Sequence, residues 1–92
     1  MASVEKEIVV ANKKGLHARP AALFVQLADK YDVKVTITKG TESVNGKSIM
    51  GLLMLGAQCQ TVLKVSVEGA AAVEAMAEFE HFFSKQEEEL IK

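Results

Sequence analysis

The sequence is short of the residues that mark several large classes of protein. It has one cysteine, Cys59, so it forms no internal disulfide, and that fits a reducing compartment. It has no tryptophan and few aromatics, four Phe and one Tyr, a poor supply for a base-stacking platform. It has no excess of one charge: 11 basic residues face 12 acidic ones, giving a formal net charge of −1. Polyanion binding draws on clustered Lys and Arg, and here only Lys13-Lys14 forms a local basic cluster. No stretch approaches the ~20 apolar residues that a membrane span needs, and residues 1–6 carry charges and no long apolar run. One Cys and two distant His give no metal-ligand spacing. Gly40, Gly46 and Gly56 read as turn residues, not as a phosphate-cradling loop. The expectation is a soluble, cytoplasmic chain with no cofactor, no metal, no nucleic-acid partner and no membrane insertion.

What is present suits one small globular domain. A 92-residue chain buries roughly 60–65% of its unfolded surface, enough for one core. Apolar residues make up 49% and charged residues 25%, so disorder is expected only at the ends. The whole chain, residues 1–92, reads as a single domain, with the charged segment 86–92 as a frayed tail.

Periodicity gives the element order. A β-rich run over residues 4–10 is broken by the turn chemistry of Asn12-Lys13-Lys14-Gly15. Helix formers follow over 18–29, with Ala21, Phe24, Val25 and Ala28 on an inner face that Leu23 and Leu27 widen. Strict alternation over 33–39 puts Val33, Val35 and Ile37 on one face of a strand. Lys39-Gly40 turns into a short strand, 41–44, which Asn45-Gly46 ends because both residues tolerate a positive φ. Ser48 is placed to cap a short helix, 49–55, that Gly56 stops. A last strand over 62–67, closed by Gly69, turns Leu63, Val65 and Val67 inward. A final helix over 70–85 carries Val73, Met76, Phe79 and Phe83 along one side. The order βαββαβα with short connections predicts an α+β fold, an antiparallel sheet with helices on one face.

The segment Gly15-Leu16-His17-Ala18-Arg19-Pro20-Ala21 carries the first candidate site. Pro20 fits only a first helical turn, because it lacks an amide hydrogen and its ring clashes further in. His17 therefore lies at or just before a helix N-terminus, where unpaired amides and the helix dipole favour anions. A positive environment disfavours imidazolium and leaves a ring nitrogen free as a nucleophile. A phosphoryl group acquired there meets amides and the Arg19 guanidinium. A His beside an Arg at a helix start also has a plain reading as a surface or capping group. The turn glycine and first-turn proline make the full heptad more specific than that pair.

The second candidate is the segment opened by Ser48. Residues 49–55 are apolar almost all the way round, and a two-turn helix on a small sheet buries only one face. Part of it is therefore expected to be an exposed apolar docking patch, to which Met50 and Met54 bring adaptability. Full burial under a loop is the plainer alternative. Ser48 reads as a structural N-cap worth roughly 1 kcal/mol. It also reads as a phosphorylation site, where a phosphate would add about −1.5 to −2 charges beside the patch.

With Asn45-Gly46-Lys47-Ser48-Ile49-Met50-Gly51-Leu52-Leu53-Met54-Leu55-Gly56, that heptad resembles the HPr family, the histidine-containing phosphocarriers of the bacterial phosphoenolpyruvate-dependent phosphotransferase system. The likeness runs from about Ile8 to Ser84. It implies an open-faced β-sandwich, a four-stranded antiparallel sheet covered on one face by three helices. It implies that enzyme I, charged by phosphoenolpyruvate, phosphorylates Nδ1 of His17, and that the group passes to enzyme IIA domains for sugar uptake. Arg19 matches the family's active-site arginine. Ser48 matches the serine targeted by HPr kinase/phosphorylase. Ile49, Met50 and Leu53 match the apolar partner-docking positions. The chain departs from the family at Gln58-Cys59-Gln60, where members often carry a Lys-Gly or similar turn, and in its acidic tail. Features such as the Leu52-Leu53-Met54-Leu55 run are shared with the nitrogen-regulatory branch.

A phosphocarrier is consumed and regenerated, so it is a substrate of enzymes more than an enzyme, and a monomer suits that shuttle. A regulatory module phosphorylated on Ser48 alone, acting on a transcriptional regulator or an enzyme, leaves His17, Arg19 and Pro20 without a role. A ferredoxin-like small-molecule sensor shares the βαββαβ order but gives no reason for the His17 heptad. His81, among Glu78, Glu80 and Lys85, reads as a solvated surface residue, and Cys59, in a loop open to exposure, has no neighbouring basic residue to argue for a reactive thiolate.

Overall fold

The computed structural model describes residues 2–90. Its elements run β1 (Ser3–Val9), α1 (Ala18–Ala28), β2 (Lys34–Lys39), β3 (Glu42–Asn45), α2 (Ile49–Leu55), β4 (Val62–Glu68), α3 (Ala72–Phe83) and a short α4 (Glu87–Leu90). The four strands form one antiparallel sheet in the order β1-β4-β2-β3. The last strand therefore inserts between β1 and β2, and Val67 of β4 pairs with Val4 on one side and Val35 on the other.

Side-chain alternation decides which face the helices cover. Leu63, Val65 and Val67 of β4 and Val35 and Ile37 of β2 are buried, along with Ile8 of β1. The opposite face carries Glu5, Glu7, Lys34, Lys64 and Glu68, all exposed, so it stays open to water. Helix α3 packs on β1 and β4, α2 packs on β3, and α1 contacts both α2 and α3. All five aromatic side chains gather between α1 and α3. The Phe24 ring lies 4.9 Å from Phe79, 5.4 Å from Phe82 and 5.1 Å from Phe83, and Tyr31 meets Phe79 edge-on at 6.2 Å. Such tilted and T-shaped pairs suit the ring quadrupoles.

Three expectations need correction. Val73 does not join the inner line of α3; it is exposed, and the buried stripe runs Ala72, Ala75, Met76, Phe79, Phe82 and Phe83. Ala72 stands one turn before Met76, so the inner face begins at a small residue and Val73 points about 100° away from it. Gly46 does not adopt a positive φ. A Cβ there would come within 2.4 Å of Val35 Cγ1, so close packing on β2 is what demands glycine. The segment expected to fray does not do so over residues 86–90. Gln86 Nε2 donates to the Ala11 carbonyl at 2.8 Å, α4 forms, and Leu90 packs against the core. Apolar contact and backbone partners from the turn before α1 hold this segment despite its charge. Residues 91–92 lie outside the described part of the chain.

Elsewhere the helix and strand ends shift by one or two residues. Val10 leaves β1 but stays bonded: its N–H donates to Thr61 O at 3.0 Å and its carbonyl accepts from Gln60 N at 2.8 Å. No helix among the described residues is long and apolar enough to cross a membrane.

Candidate functional site

The loop that presents His17 is locked from three directions. Gly15 N donates to Asn12 O at 2.9 Å, and Asn12 Nδ2 donates to Gly15 O at 2.8 Å, closing a tight turn. Leu16 is buried, and its N–H donates to Ala57 O at 2.8 Å, tying the loop to the segment just after α2. Gly15 has φ +74°, and a Cβ on it would meet Ala57 O at 2.6 Å, so both backbone conformation and close approach require glycine. Pro20 is buried in the first turn of α1, where its missing N–H costs nothing.

His17 is the N-cap residue of α1, with extended backbone angles of φ −96° and ψ −166°. Its carbonyl accepts the first helical bond, from Ala21 N at 2.9 Å. Its side chain makes no capping bond, so the ring is free for chemistry while the amides of Ala18 and Arg19 have no intrahelical acceptor. Those amides and the dipole of an 11-residue helix form an anion-receptive end. The His17 side chain is 42% exposed and Arg19 is 61% exposed, so both are reachable from solution.

The ring has one close polar neighbour that sequence reasoning missed. Glu87 Oε1 lies 2.5 Å from His17 Nε2, and Glu87 Oε2 lies 4.0 Å from Arg19 Nη1. The Nε2–Oε1 approach is off the hydrogen-bond axis, yet both atoms are shut off from solvent and neither has another polar partner among the described residues. Each is therefore a buried polar atom whose hydrogen bond is unmade in this structure, with the other as its nearest candidate partner. The exposed part of the ring is therefore away from Nε2. Glu87 is held by its own backbone, whose N–H donates to Asn12 Oδ1 at 3.0 Å. The one sequence signal for this docking was Leu90, an apolar residue in a charged tail.

Ser48 caps α2 as read from the sequence: its Oγ accepts from Gly51 N at 3.0 Å, and Gly56 ends the helix in the left-handed conformation. Leu52 and Leu55 are buried beneath α2, whereas Ile49, Met50 and Leu53 are exposed. Met54, at 75%, is the most exposed of the group and extends the apolar face. Lys39 Nζ donates to Leu55 O at 2.9 Å, placing a cation at the C-terminus of the helix. Thus α2 is half buried, not enclosed. His17 and Ser48 stand at the starts of two helices that pack on one another. Cys59 is half-buried in the loop before β4 with Sγ 3.8 Å from Ala11 O, and His81 is exposed on α3. Among the described residues, no group of three His, Cys, Asp or Glu side chains is arranged to hold a metal ion.

Comparison with known proteins points one way. A family model described as PTS HPr component phosphorylation site matches residues 4–85. The phosphocarrier protein HPr of Treponema pallidum is 43% identical over 86 residues, covering 94% of this chain and 98% of that protein. The HPr-like protein Crh of Halalkalibacterium halodurans is 42% identical over 83 residues, covering 90% and 99%. The crystal structure of HPr from Bacillus anthracis superposes with a TM-score of 0.86 at 38% identity, covering 90% of this chain and 99% of that one.

Proposed function

The chain belongs to the HPr family of the phosphotransferase system, and on that premise we propose that it carries a phosphoryl group on Nδ1 of His17. Enzyme I, charged by phosphoenolpyruvate, is the donor, and enzyme IIA domains are the acceptors. The observation that carries this reading is the His17 ring itself, a partly exposed imidazole at the N-cap that does no capping. A nucleophilic nitrogen there attacks phosphorus, and the phosphate oxygens find the Ala18 and Arg19 amides and the guanidinium of Arg19. The protein is consumed and regenerated in each cycle, acting as a soluble monomeric shuttle.

The exposed side chains of Ile49, Met50 and Leu53, with Met54, form the partner-docking face of this reading. Phosphorylation of Ser48 by an HPr kinase/phosphorylase regulates it, setting a dianion beside that face where an acidic partner would be repelled. The capping Oγ is only partly buried, so modification does not require the fold to open.

The test is incubation with enzyme I and labelled phosphoenolpyruvate. The expected product carries acid-labile label, and His17→Ala carries none. Acid-labile label on the His17→Ala variant would remove the site assignment, and an unlabelled parent protein would remove the phosphocarrier reading.

A further inference from the structure

We propose that Glu87 is a positioning residue for this transfer: its carboxylate accepts the Nε2–H of His17 and leaves the ring's lone pair on Nδ1. The inference rests on the phosphocarrier reading and adds to it a residue outside the two motifs that support that reading.

Four observations converge on Glu87. Its Oε1 lies 2.5 Å from the shielded Nε2, and neither atom has a hydrogen-bond partner among the described residues, so each is the other's nearest candidate. It is not a loose tail residue, since its side chain is only 16% exposed. Its backbone bonds to Asn12, the preceding Gln86 bonds to Ala11 O and to Lys13 N at 2.9 Å, and Gln86 N donates to Glu89 Oε1 at 2.9 Å. Its second oxygen lies 4.0 Å from Arg19 Nη1, so the carboxylate stands between the ring and the guanidinium.

A neutral imidazole carries one N–H, and the hydrogen bond made by one nitrogen decides which tautomer is present. A carboxylate can only accept, so it selects Nε2–H. The same logic operates where a buried carboxylate orients a catalytic imidazole. In the transfer step the Nδ1 lone pair forms the new N–P bond while the donor–phosphorus bond breaks, its electron pair leaving with the donor. The Nε2 proton stays in place, and the positive charge gained by the ring is balanced by Glu87. Arg19 is then free to face the phosphate oxygens.

The experiment uses full-length 15N-labelled protein at a pH where both imidazoles are neutral, with the exposed His81 as the internal reference. The ring 15N shifts of His17 are expected to show a larger Nε2–H fraction than His81, and Glu87→Ala to bring the two rings to the same pattern. Transfer from phosphoenolpyruvate-charged enzyme I is expected to slow about tenfold to a hundredfold in Glu87→Ala, by analogy with other orienting partners of functional His. Glu87→Asp should recover part of that loss. Matching ring spectra in the parent protein, or an unchanged rate in Glu87→Ala, overturns the proposal. A faster rate also overturns it, because the carboxylate would then be a shield that the donor must displace. The ring spectrum needs no partner. A parent protein that shows the tautomer bias but takes no label refutes the phosphocarrier reading, and the reaction role of Glu87 with it.

Discussion

Asn12 Oδ1 accepts the backbone N–H of Glu87 at 3.0 Å, joining the turn before α1 to the segment after α3. The same side chain donates to Gly15 O at 2.8 Å, so one buried amide shapes the His17 loop and anchors the strap beside it. Removing it leaves a buried carbonyl without its donor, at a cost of about 1–3 kcal/mol. Urea unfolding of Asn12→Ala should show that loss, and hydrogen exchange should show faster exchange at the Glu87 amide. Unchanged stability and protection would mean the amide is replaceable by water.

The aromatic cluster turns on Phe24, which touches three other rings at the α1–α3 contact. Phe24→Ala should cost about 3–5 kcal/mol, the usual loss for a fully buried ring. Phe24→Leu should cost much less. Equal losses in the two variants, read from denaturant midpoints, would show that ring packing is not the main term.

The Ser48 cap and a Ser48 phosphate make separable predictions. Ser48→Ala removes the acceptor for Gly51 N and should cost about 1 kcal/mol. Ser48→Asp keeps an acceptor at the N-cap, so its stability should stay near that of the parent, while charging by enzyme I should slow. An Asp variant charged at the parental rate would refute control through this position.

Tyr31 is the only tyrosine, so its ionisation can be followed alone by phenolate absorbance. Partial burial, then the charges of Glu78 and Glu74, hold its hydroxyl above the ordinary tyrosine range. The folded chain therefore keeps this proton at a pH where the unfolded chain, at about 10, has begun to lose it. The resulting stabilisation is complete below that value and fades as pH rises through the folded-state pKa. The midpoint should fall in Glu78→Gln and should drop toward the free-tyrosine value on unfolding. A native midpoint equal to the unfolded one would sink the prediction.

Gln60 occupies the left-handed region at φ 73°, in the loop where the chain departs from the family's usual turn. A non-glycine residue there bears backbone strain of order 1–3 kcal/mol, partly offset because glycine would gain more freedom on unfolding. Gln60→Gly should therefore be more stable by about 0.5–1 kcal/mol on these terms. Thermal melting checks this. A lower midpoint would mean that the weak Nε2 contact with Cys59 Sγ outweighs the strain.

Local patterning carried most of the fold. Alternation in Val33, Val35 and Ile37, and again in Leu63, Val65 and Val67, marks the buried sheet face in the sequence alone. Ser48 and Gly56 bounded α2 because capping chemistry acts over three or four residues. The heptad around His17 was legible for the same reason, since a turn glycine, a first-turn proline and an N-cap are neighbours in the chain. What escaped was set by distance. Val73 satisfied helical spacing yet faces water, because spacing defines a stripe but not which neighbour it meets. Gly46 fits a turn by its backbone freedom, yet the demand for glycine comes from Val35, on another strand.

The sequence by itself determined the order of the elements, the inward faces of the central strands and the placement of an imidazole at a helix start. These follow from dihedral preferences and hydrophobic periodicity within short segments. Tertiary structure alone decided that residues 86–90 fold back, because their partners Ala11, Asn12 and His17 lie about seventy residues away in the chain. Loop closure over that span leaves no periodic trace, so the contact between Glu87 and His17 exists only once the sheet and α3 have brought both ends of the molecule together.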